Sequence, residues 1–334
     1  MEVEITAIMW ALANNPERKF AQVEMKFFTM WWNHQDDEMK NMVKEFVKNG
    51  QLEFINGGWS MHDEACPIYE DMVDNMEIGH RFLLENFGVK PRIGWQIDPF
   101  GHSSTNARIS AEMGFDAFFF ARLDQGDKET RMDERALEFI WRPNSQSLGN
   151  QTQILTHVLY SHYYNPDGFG FDAGQGDPQW INDETSEDYN APERAALLKQ
   201  KMDERAKHYA TDHLFVVFGG DFQYVNAYQN YENMDNMIEY MNKAYPDEYF
   251  FRYSTPSDYV DALSKLNHSW PTKYDDMMPY SDDQGAYWTG YFTSRANDKR
   301  FARDTSHVFH ASAQLYALKM LDQKMDMYVE KSIL

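Results

Sequence analysis

The sequence predicts an α/β fold built around a mainly parallel sheet. Short runs rich in β-branched and aromatic residues alternate with longer runs of helical periodicity, which is the pattern of repeated β-α units. The chain has 334 residues, of which 43% are hydrophobic and 16% aromatic. This composition allows a large buried core and argues against a disordered chain.

Seven strands and six helices are predicted along the chain. The strands are placed at 20–27, 52–55, 92–97, 117–120, 154–159, 213–218 and 249–253. The helices are placed around 38–49, 68–87, 104–113, 192–209, 231–244 and 256–266. Ser103 or Ser104 is suited to cap the helix at 104–113, and Gly88 is suited to end the helix at 68–87.

Two further segments stand outside this alternation. From Arg300 onwards the pattern is one amphipathic helix, which predicts a first domain at 1–299 and the start of a helical domain at 300–334. The segment 165–190 is rich in Asp, Gly, Asn and Pro and predicts a long loop, either a binding element or a solvated insertion.

Charge and composition exclude some classes of partner. The net charge of −22 repels nucleic acid phosphates and anionic lipid, so a neutral or cationic ligand fits better. The apolar run at 5–13 is short and follows Glu2 and Glu4, the wrong charge for a signal peptide, and no stretch is long enough to span a membrane. Cys66 is the single cysteine, so cysteine usage does not indicate an oxidising compartment. Asn150 and Asn267 begin Asn-x-Ser/Thr triplets, which are acceptors only on the secretory route.

Two aspartates follow predicted strands, where parallel β-α folds collect their working residues. Asp98 ends the strand at 92–97 and precedes Pro99 and Gly101, which force a turn and direct the carboxylate to the rim. Asp221 follows the strand at 213–218 and two glycines. The alternative is that each aspartate only caps a turn or the next helix. Two rim carboxylates beside many aromatic rings favour glycoside hydrolysis, in which one attacks and the other protonates the leaving oxygen.

Other polar residues carry weaker signals. Arg122 follows the apolar run 117–121 and is suited to orient a carboxylate, or alternatively to pair on the surface with Asp124 or Asp127. His34 and Asp36 have metal-ligand spacing but lie where a helix N-cap is expected. His62 (beside Asp63), His102 and His157 are candidates for the site, but lone histidines usually have structural roles.

The motif WQIDPFGHS at 95–103 resembles glycoside hydrolase family 38, and within it the lysosomal, acid-active α-mannosidases. Further segments agree in order: FFTMWW (27–32), LEFINGGW (52–59), MGFDAFFFARLD (113–124), FGGDFQYVNA (218–227), YSTPSDY (253–259) and YWTGYFTSR (287–295). The resemblance covers nearly the whole chain. It implies a distorted, seven-stranded parallel β/α barrel that lacks its first strand, followed by a helical domain.

The resemblance also implies roles for individual residues. Asp98 would be the nucleophile and a zinc ligand, and Asp221 the acid/base. Phe100, Arg122, Tyr163 and Tyr164 would line the mannose site. The implied activity is the retaining hydrolysis of terminal α-linked mannose from N-glycan-type oligosaccharides in a lysosomal or other acidic secretory compartment.

The zinc site implied by the resemblance is incomplete in this sequence. The family's HxD and HHD motifs are both missing, and only Asp98 remains of the zinc ligands, whereas catalytic zinc generally has three protein ligands. We therefore expect this chain alone to hydrolyse α-mannosides poorly or not at all. The alternatives are a non-catalytic glycan-binding or inactive remnant protein, and a metal-dependent sugar deacetylase, which would need a His-rich ligand set.

Overall fold

The computed structural model describes residues 2–172 and 174–323. Its strands are β1 (Phe20–Gln22), β2 (Leu52–Phe54), β3 (Ile93–Gln96), β4 (Ala117–Phe120), β5 (Glu138–Trp141), β6 (Ile154–Val158) and β7 (Thr272–Lys273). Its helices are α1 (Glu2–Asn14), α2 (Met25–Asn33), α3 (Asp37–Asn49), α4 (Tyr69–Phe87), α5 (Ser104–Glu112), α6 (Gln125–Asp133), α7 (Ser145–Leu148), α8 (Ala191–Ala206), α9 (Ala227–Ala244), α10 (Pro256–Ser264) and α11 (Ala296–Gln323), with a 3-10 turn at Gly290–Phe292.

The strands form two open sheets. The larger sheet has the order β3-β4-β6-β5-β7, and the smaller one pairs β1 with β2 in parallel. Neighbours β3, β4 and β6 run parallel, β5 is antiparallel to β6, and β7 is parallel to β5. The α/β class is therefore confirmed with a mixed sheet. A closed seven-stranded barrel is not confirmed, since no closed sheet occurs among the described residues.

The core lies on both faces of the larger sheet. Phe118 and Phe120 point into one hydrophobic cluster, while Ala117 and Phe119 point into another. This is the two-residue alternation of a strand buried on both faces. The three phenylalanines are fully buried, and each contributes roughly 1.5–3 kcal/mol of transfer free energy.

Two of the predicted strands are wrong. Residues 213–218 and 249–253 have no regular secondary structure and line a cavity instead. Their apolar composition resembles that of a strand, but a strand also needs a hydrogen-bonded neighbour. Side chains satisfy part of their backbone: the Asn242 amide donates to Phe251 O at 2.8 Å and accepts from Phe251 N at 2.7 Å.

Other differences are local. The strand predicted at 20–27 ends at Gln22, because helix α2 begins at Met25. Strands β5 and β7 and helices α2, α6 and α7 were not predicted. The caps are confirmed, since the Ser103 side chain accepts from Thr105 N at the start of α5 and Gly88 ends α4 in the left-handed conformation, with φ 68°.

Helix α11 begins at Ala296, four residues before the predicted start at Arg300. The last part of the prediction, 324–334, lies outside the described residues. The helix contacts α4, where His310 Nε2 lies 3.5 Å from Asp71 Oδ1 and 3.6 Å from Asp74 Oδ2. The division into domains at 1–299 and 300–334 stays a prediction.

The predicted loop at 165–190 is packed, not a solvated insertion. Its described residues, 165–172 and 174–190, contain no helix or strand, yet Phe169, Phe171 and Trp180 are almost completely buried. Arg194 of α8 lies 4.7 Å from the Phe169 ring centre and donates to Gly168 O at 2.8 Å. The loop is therefore anchored to the domain by its own apolar and cationic contacts.

Candidate active site

Asp98 lies in the loop between β3 and α5, at the rim of the cavity. Gly101 turns the loop with φ 101°, and a Cβ at this position would crowd Met277 O at 3.1 Å. Since Ser103 caps α5, Asp98 does not cap the next helix. The Asp98 side chain is 48% exposed, so its carboxylate is accessible from the cavity.

Arg122 pairs with Asp98 rather than with Asp124 or Asp127. Its Nε and Nη2 donate to Asp98 Oδ1 at 3.0 and 2.5 Å. Asp124 instead caps α6, and Asp127 pairs with Arg131 at 2.9 Å. Burial by itself would lower the pKa of Arg122, but hydrogen bonds with Asp98 and Tyr280 outweigh it and raise that pKa. The cation therefore stays charged beside the carboxylate.

Four aromatic rings surround the Arg122 guanidinium. The distances from its Cζ to the ring centres are 4.9 Å for Trp288, 5.2 Å for Phe100, 5.6 Å for Tyr280 and 5.9 Å for Tyr163. Rings at these distances stabilise a cation and restrict its rotation. The sequence predicted Phe100 and Tyr163 as site residues but missed Tyr280 and Trp288, although Trp288 belongs to the recognised segment 287–295.

The segment that carries Tyr280 and Trp288 is fastened to the site by its backbone. His102 and Met277 exchange two hydrogen bonds of 2.9 Å, and Trp288 N donates to Tyr280 O at 3.0 Å. The Tyr291 hydroxyl donates to Phe100 O at 3.3 Å. A remote part of the chain thus completes the wall around Arg122.

A buried carboxylate supports the Asp98 loop from below. Glu64 Oε1 lies 2.9 Å from His102 Nδ1, and Glu64 Oε2 accepts from Ser103 N at 2.7 Å. Both side chains are fully buried. His102 is therefore structural, and Glu64 is a supporting residue that sequence reasoning missed.

The other histidines also have structural contacts. His62 Nδ1 lies 2.9 Å from Asn106 Oδ1, and His157 Nδ1 lies 3.0 Å from Glu138 Oε1. Asp36 caps α3 by accepting from Met39 N at 2.9 Å, as expected from its position. These contacts assign His62, His157 and Asp36 to the support of the fold.

Asp221 lies at the mouth of the same cavity as Asp98. It follows the segment 213–218 and the pair Gly219 and Gly220, and its side chain is exposed. The cavity has a volume of about 840 Å³. Both predicted carboxylates therefore line this one cavity, and their roles stay a prediction.

Tyr163 links the two carboxylates electrostatically. Burial, the hydrogen bond with Tyr164, and the charges of Asp98 and Asp221 all raise the pKa of Tyr163. Tyr164 is 44% exposed and packs against Gly220, where an added Cβ would lie 3.1 Å from its ring. Tyr163 therefore stays protonated at neutral pH.

His162 packs against the rings of Tyr163 and Tyr164. Burial, followed by the charges of Arg122 and Lys128, lowers the pKa of His162 to about 4. Its ring stacks on Tyr164 at 5.5 Å. The imidazole is neutral above that pH and adds no positive charge to the site.

The residues present do not fit a zinc ion. Within the described ranges 2–172 and 174–323, no three His, Cys, Asp or Glu side chains are grouped so as to hold a metal. Asp98 brings one carboxylate, and its charge is already balanced by Arg122. Three protein ligands are the usual requirement of catalytic zinc, so no step of a mechanism is derived through zinc.

Two carboxylates at the mouth of one cavity, beside several aromatic rings, are typical of the glycoside hydrolases. Residues 3–283 match the family model described as glycosyl hydrolases family 38 N-terminal domain. The chain belongs to glycosyl hydrolase family 38. No helix in the described part of the chain is long and apolar enough to cross a membrane.

Relatives agree with this family. The chain is 47% identical to a lysosomal alpha-mannosidase of Dictyostelium discoideum over 312 residues, which cover 93% of the chain and 30% of that relative. It is 45% identical to an alpha-mannosidase of Arabidopsis thaliana, and the match covers 95% of this chain and 31% of that relative. It is 38% identical to human lysosomal alpha-mannosidase, and the match covers 94% of this chain and 32% of that relative. The chain thus spans about a third of the length of these relatives.

Solved structures show the same fold. An alpha-mannosidase of Enterococcus faecalis superposes with a TM-score of 0.63 at 21% identity, covering 83% of this chain and 28% of that one. A 4-alpha-glucanotransferase of Thermococcus litoralis superposes with a TM-score of 0.51 at 12% identity, and the match covers 95% of this chain and 44% of that one. The arrangement of helices and sheets is therefore shared with these two structures.

Proposed function

We propose that residues 3–283 form the catalytic part of a retaining α-mannosidase. The observation that carries the proposal is the joint placement of Asp98 and Asp221 at one cavity in a family 38 domain. Asp98 is proposed as the nucleophile and Asp221 as the acid/base. The substrate class is terminal α-linked mannose on N-glycan-type oligosaccharides.

The proposed reaction has two steps. Asp98 attacks the anomeric carbon while Asp221 gives its proton to the leaving oxygen, so the glycosidic bond breaks as the sugar–carboxylate bond forms. Asp221, now ionised, then takes a proton from water, whose oxygen attacks the anomeric carbon and releases Asp98. Mannose leaves with its configuration retained.

Arg122 and the rings around it have supporting roles in this proposal. Arg122 holds one oxygen of Asp98 and so directs the other toward the sugar. Phe100, Trp288, Tyr163 and Tyr164 offer aromatic faces and hydroxyls to the mannose ring. The two open sheets are proposed as parts of the family's seven-stranded barrel.

Zinc and compartment are proposed from the family alone. Family 38 resemblance implies zinc, which would polarise ring hydroxyls, and Asp98 is the one ligand that this sequence supplies. We expect the 334-residue chain by itself to be a poor catalyst. The names of the lysosomal relatives favour a lysosomal or other acidic secretory compartment.

The first test is to sequence the transcript through both ends of the reading frame and to assay the protein in the form that the cell makes. With zinc and a chromogenic α-mannoside, that protein should release the aglycone, and Asp98→Asn should abolish turnover. Release by the variant at the wild-type rate would refute the assignment of Asp98.

A second function is favoured by one observation. The described residues contain no group of three metal ligands, which suits a non-catalytic glycan-binding or inactive remnant protein. This alternative predicts that the protein made by the cell binds mannosides with no turnover, even with zinc.

A further inference from the structure

The turn that carries Asp221 has an unusual backbone. Gly220, Phe222 and Tyr224 all have positive φ, at 152°, 57° and 67°. Glycine adopts such angles freely, whereas bulky side chains adopt them only where surrounding contacts hold them. The Phe222 side chain is 91% exposed, so its own packing does not hold the turn.

One buried carboxylate contacts the end of this turn. Asp172, which is 5% exposed, accepts a hydrogen bond from Tyr224 N at the end of the turn through its Oδ2. The same oxygen accepts from Asn230 Nδ2 at 3.0 Å in the first turns of α9. Asp172 thereby ties the turn to the start of this helix.

Tyr224 transmits this restraint to the segment before Asp221. Its hydroxyl donates to Phe218 O at 2.8 Å, and its ring packs against Phe20 at 5.5 Å. The backbone is therefore held on both sides of Asp221, by Asp172 after it and by the Tyr224 hydroxyl before it.

Asp172 is itself held in place by the loop at 165–190. The neighbouring Phe171 is almost completely buried and stacks on Phe218, with ring centres 6.1 Å apart and planes inclined by 7°. A buried carboxylate is costly unless its oxygens are hydrogen-bonded, and charge-assisted hydrogen bonds are stronger than neutral ones. The hydrogen bonds from Tyr224 N and Asn230 Nδ2 therefore offset the cost of burying the Asp172 side chain.

We propose that Asp172 is a positioning residue, which fixes the turn at 220–224 so that the Asp221 carboxyl stands where it protonates the leaving oxygen. The long loop then has a function in catalysis without touching the sugar. This inference rests on the proposed function, in which Asp221 is the acid/base.

The decisive variants are Asp172→Ala and a control in the same loop. Asp177 Oδ2 accepts from Gly170 N at 2.8 Å, but Asp177 makes no described contact with the turn at 220–224. Asp177→Ala therefore removes a comparable loop hydrogen bond. If Asp172→Ala fails to fold, Asp172→Asn replaces it, because a neutral amide oxygen accepts more weakly from Tyr224 N, and this variant should speed exchange at 219–226 in the same direction.

The first measurement is hydrogen exchange at 219–226, which needs no activity. We expect Asp172→Ala to speed exchange of these amides by at least about tenfold, and Asp177→Ala to leave it unchanged. The double variant Asp172→Asn with Asn230→Asp, which swaps the carboxylate and the amide, should restore part of the protection against hydrogen exchange. Unchanged exchange in Asp172→Ala would overturn the inference, whatever the activity.

The second measurement compares leaving groups, in the protein as the cell makes it. Proton donation matters for an alcohol leaving group and little for 2,4-dinitrophenolate, which leaves unassisted. We expect Asp172→Ala to lower kcat/KM, which reports the first step of the reaction, by about 100-fold for mannobiose and by less than about threefold for 2,4-dinitrophenyl α-mannoside.

The outcomes distinguish the positioning role of Asp172 from the proposed function. Equal slowing of both substrates by Asp172→Ala would overturn the positioning role and leave the proposed function intact. A wild-type protein that hydrolyses neither substrate would overturn the proposed function, and the claim about proton donation with it, whereas the exchange data would still decide whether Asp172 holds the turn.

Discussion

Arg122 donates two hydrogen bonds to the same oxygen of Asp98, from Nε at 3.0 Å and from Nη2 at 2.5 Å. A guanidinium usually spreads such bonds over both oxygens of a carboxylate. Here both bonds fall on Oδ1, and Oδ2 accepts neither of them. The arrangement suits a group that must present one oxygen to a substrate.

Substitution of Arg122 should separate charge from geometry. Arg122→Ala should lower kcat/KM for a chromogenic α-mannoside by about 100-fold, because a misplaced reacting group costs this order of rate. Arg122→Lys keeps the charge but loses the planar guanidinium group, and this variant should lower kcat/KM by roughly tenfold. Arg108, which pairs with Glu112 on the surface of α5, is the control for a lost cation. Equal losses of kcat/KM in Arg122→Ala and Arg122→Lys would show that the planar guanidinium group is not required.

Substitution of Asp221 should expose the second step of the proposed reaction. In Asp221→Ala the leaving group gets no proton, so hydrolysis of alkyl mannosides should fall by at least about 100-fold. Azide needs no general base and should restore turnover of an activated aryl mannoside by attacking the sugar bound to Asp98. The product should be α-mannosyl azide, identified by NMR. Formation of the β-azide would contradict a retaining mechanism.

The part of the site that sequence reasoning predicted is encoded locally. The strand before Asp98 is apolar on both faces, Pro99 and Gly101 end it, and Ser103 caps the next helix, so neighbouring residues suffice to place the carboxylate at the rim. The same holds for the phenylalanine run of β4, which places Arg122 at its end. Each of these signals lies within ten residues of the group that it positions.

The part that was missed depends on contacts between distant segments. Tyr280 and Trp288 reach Arg122 across more than a hundred residues, and their own spacing gives no sign of it. Residues 213–218 have the composition of a strand, but pairing depends on a neighbouring segment that composition does not specify. The sequence also does not indicate the role of Asp172, because a loop rich in Asp gives no sign of which carboxylate is buried.

Gly79 should be intolerant of any side chain. It lies in α4 with its Cα against the loop that follows β2, and an added Cβ would meet Gly57 O at only 1.9 Å. Gly79→Ala should therefore lower the free energy of unfolding by at least about 2 kcal/mol, since a backbone carbonyl cannot rotate away. Gly290→Ala is the control, because nothing lies within 4 Å of its added Cβ. Urea unfolding monitored by tryptophan fluorescence measures both, and a Gly79→Ala variant as stable as the control would contradict the close helix–loop contact.

His80 should make the fold less stable in acid. Burial lowers the pKa of His80 below its ordinary value of 6.5, against the opposing effect of its hydrogen bond with Asn56 O at 2.7 Å. The unfolded chain therefore binds this proton at a higher pH than the folded chain does. The contribution to stability is fully present above pH 6.5 and is lost as the pH falls through and below that value.

The test of His80 is the difference in unfolding free energy between about pH 7.5 and about pH 5. His80→Gln can still donate to Asn56 O but does not titrate, so the variant should lose less stability on acidification than the wild type. The same substitution at the exposed His268 is the control. If His80→Gln and wild type lose equal amounts, the histidine is not desolvated in solution.

Zinc should have little effect on the stability of the 334-residue chain. A ligand that binds only the folded state raises the unfolding temperature in proportion to the logarithm of its concentration over Kd. Asp98 supplies one carboxylate already paired with Arg122, and the described residues hold no group of three metal ligands. Addition of zinc or of a chelator should therefore shift the midpoint in scanning calorimetry by less than about 1 °C. Asp98→Asn controls for weak binding at this carboxylate, and a rise of several degrees that this substitution removes would show that the chain completes a zinc site that its described geometry lacks.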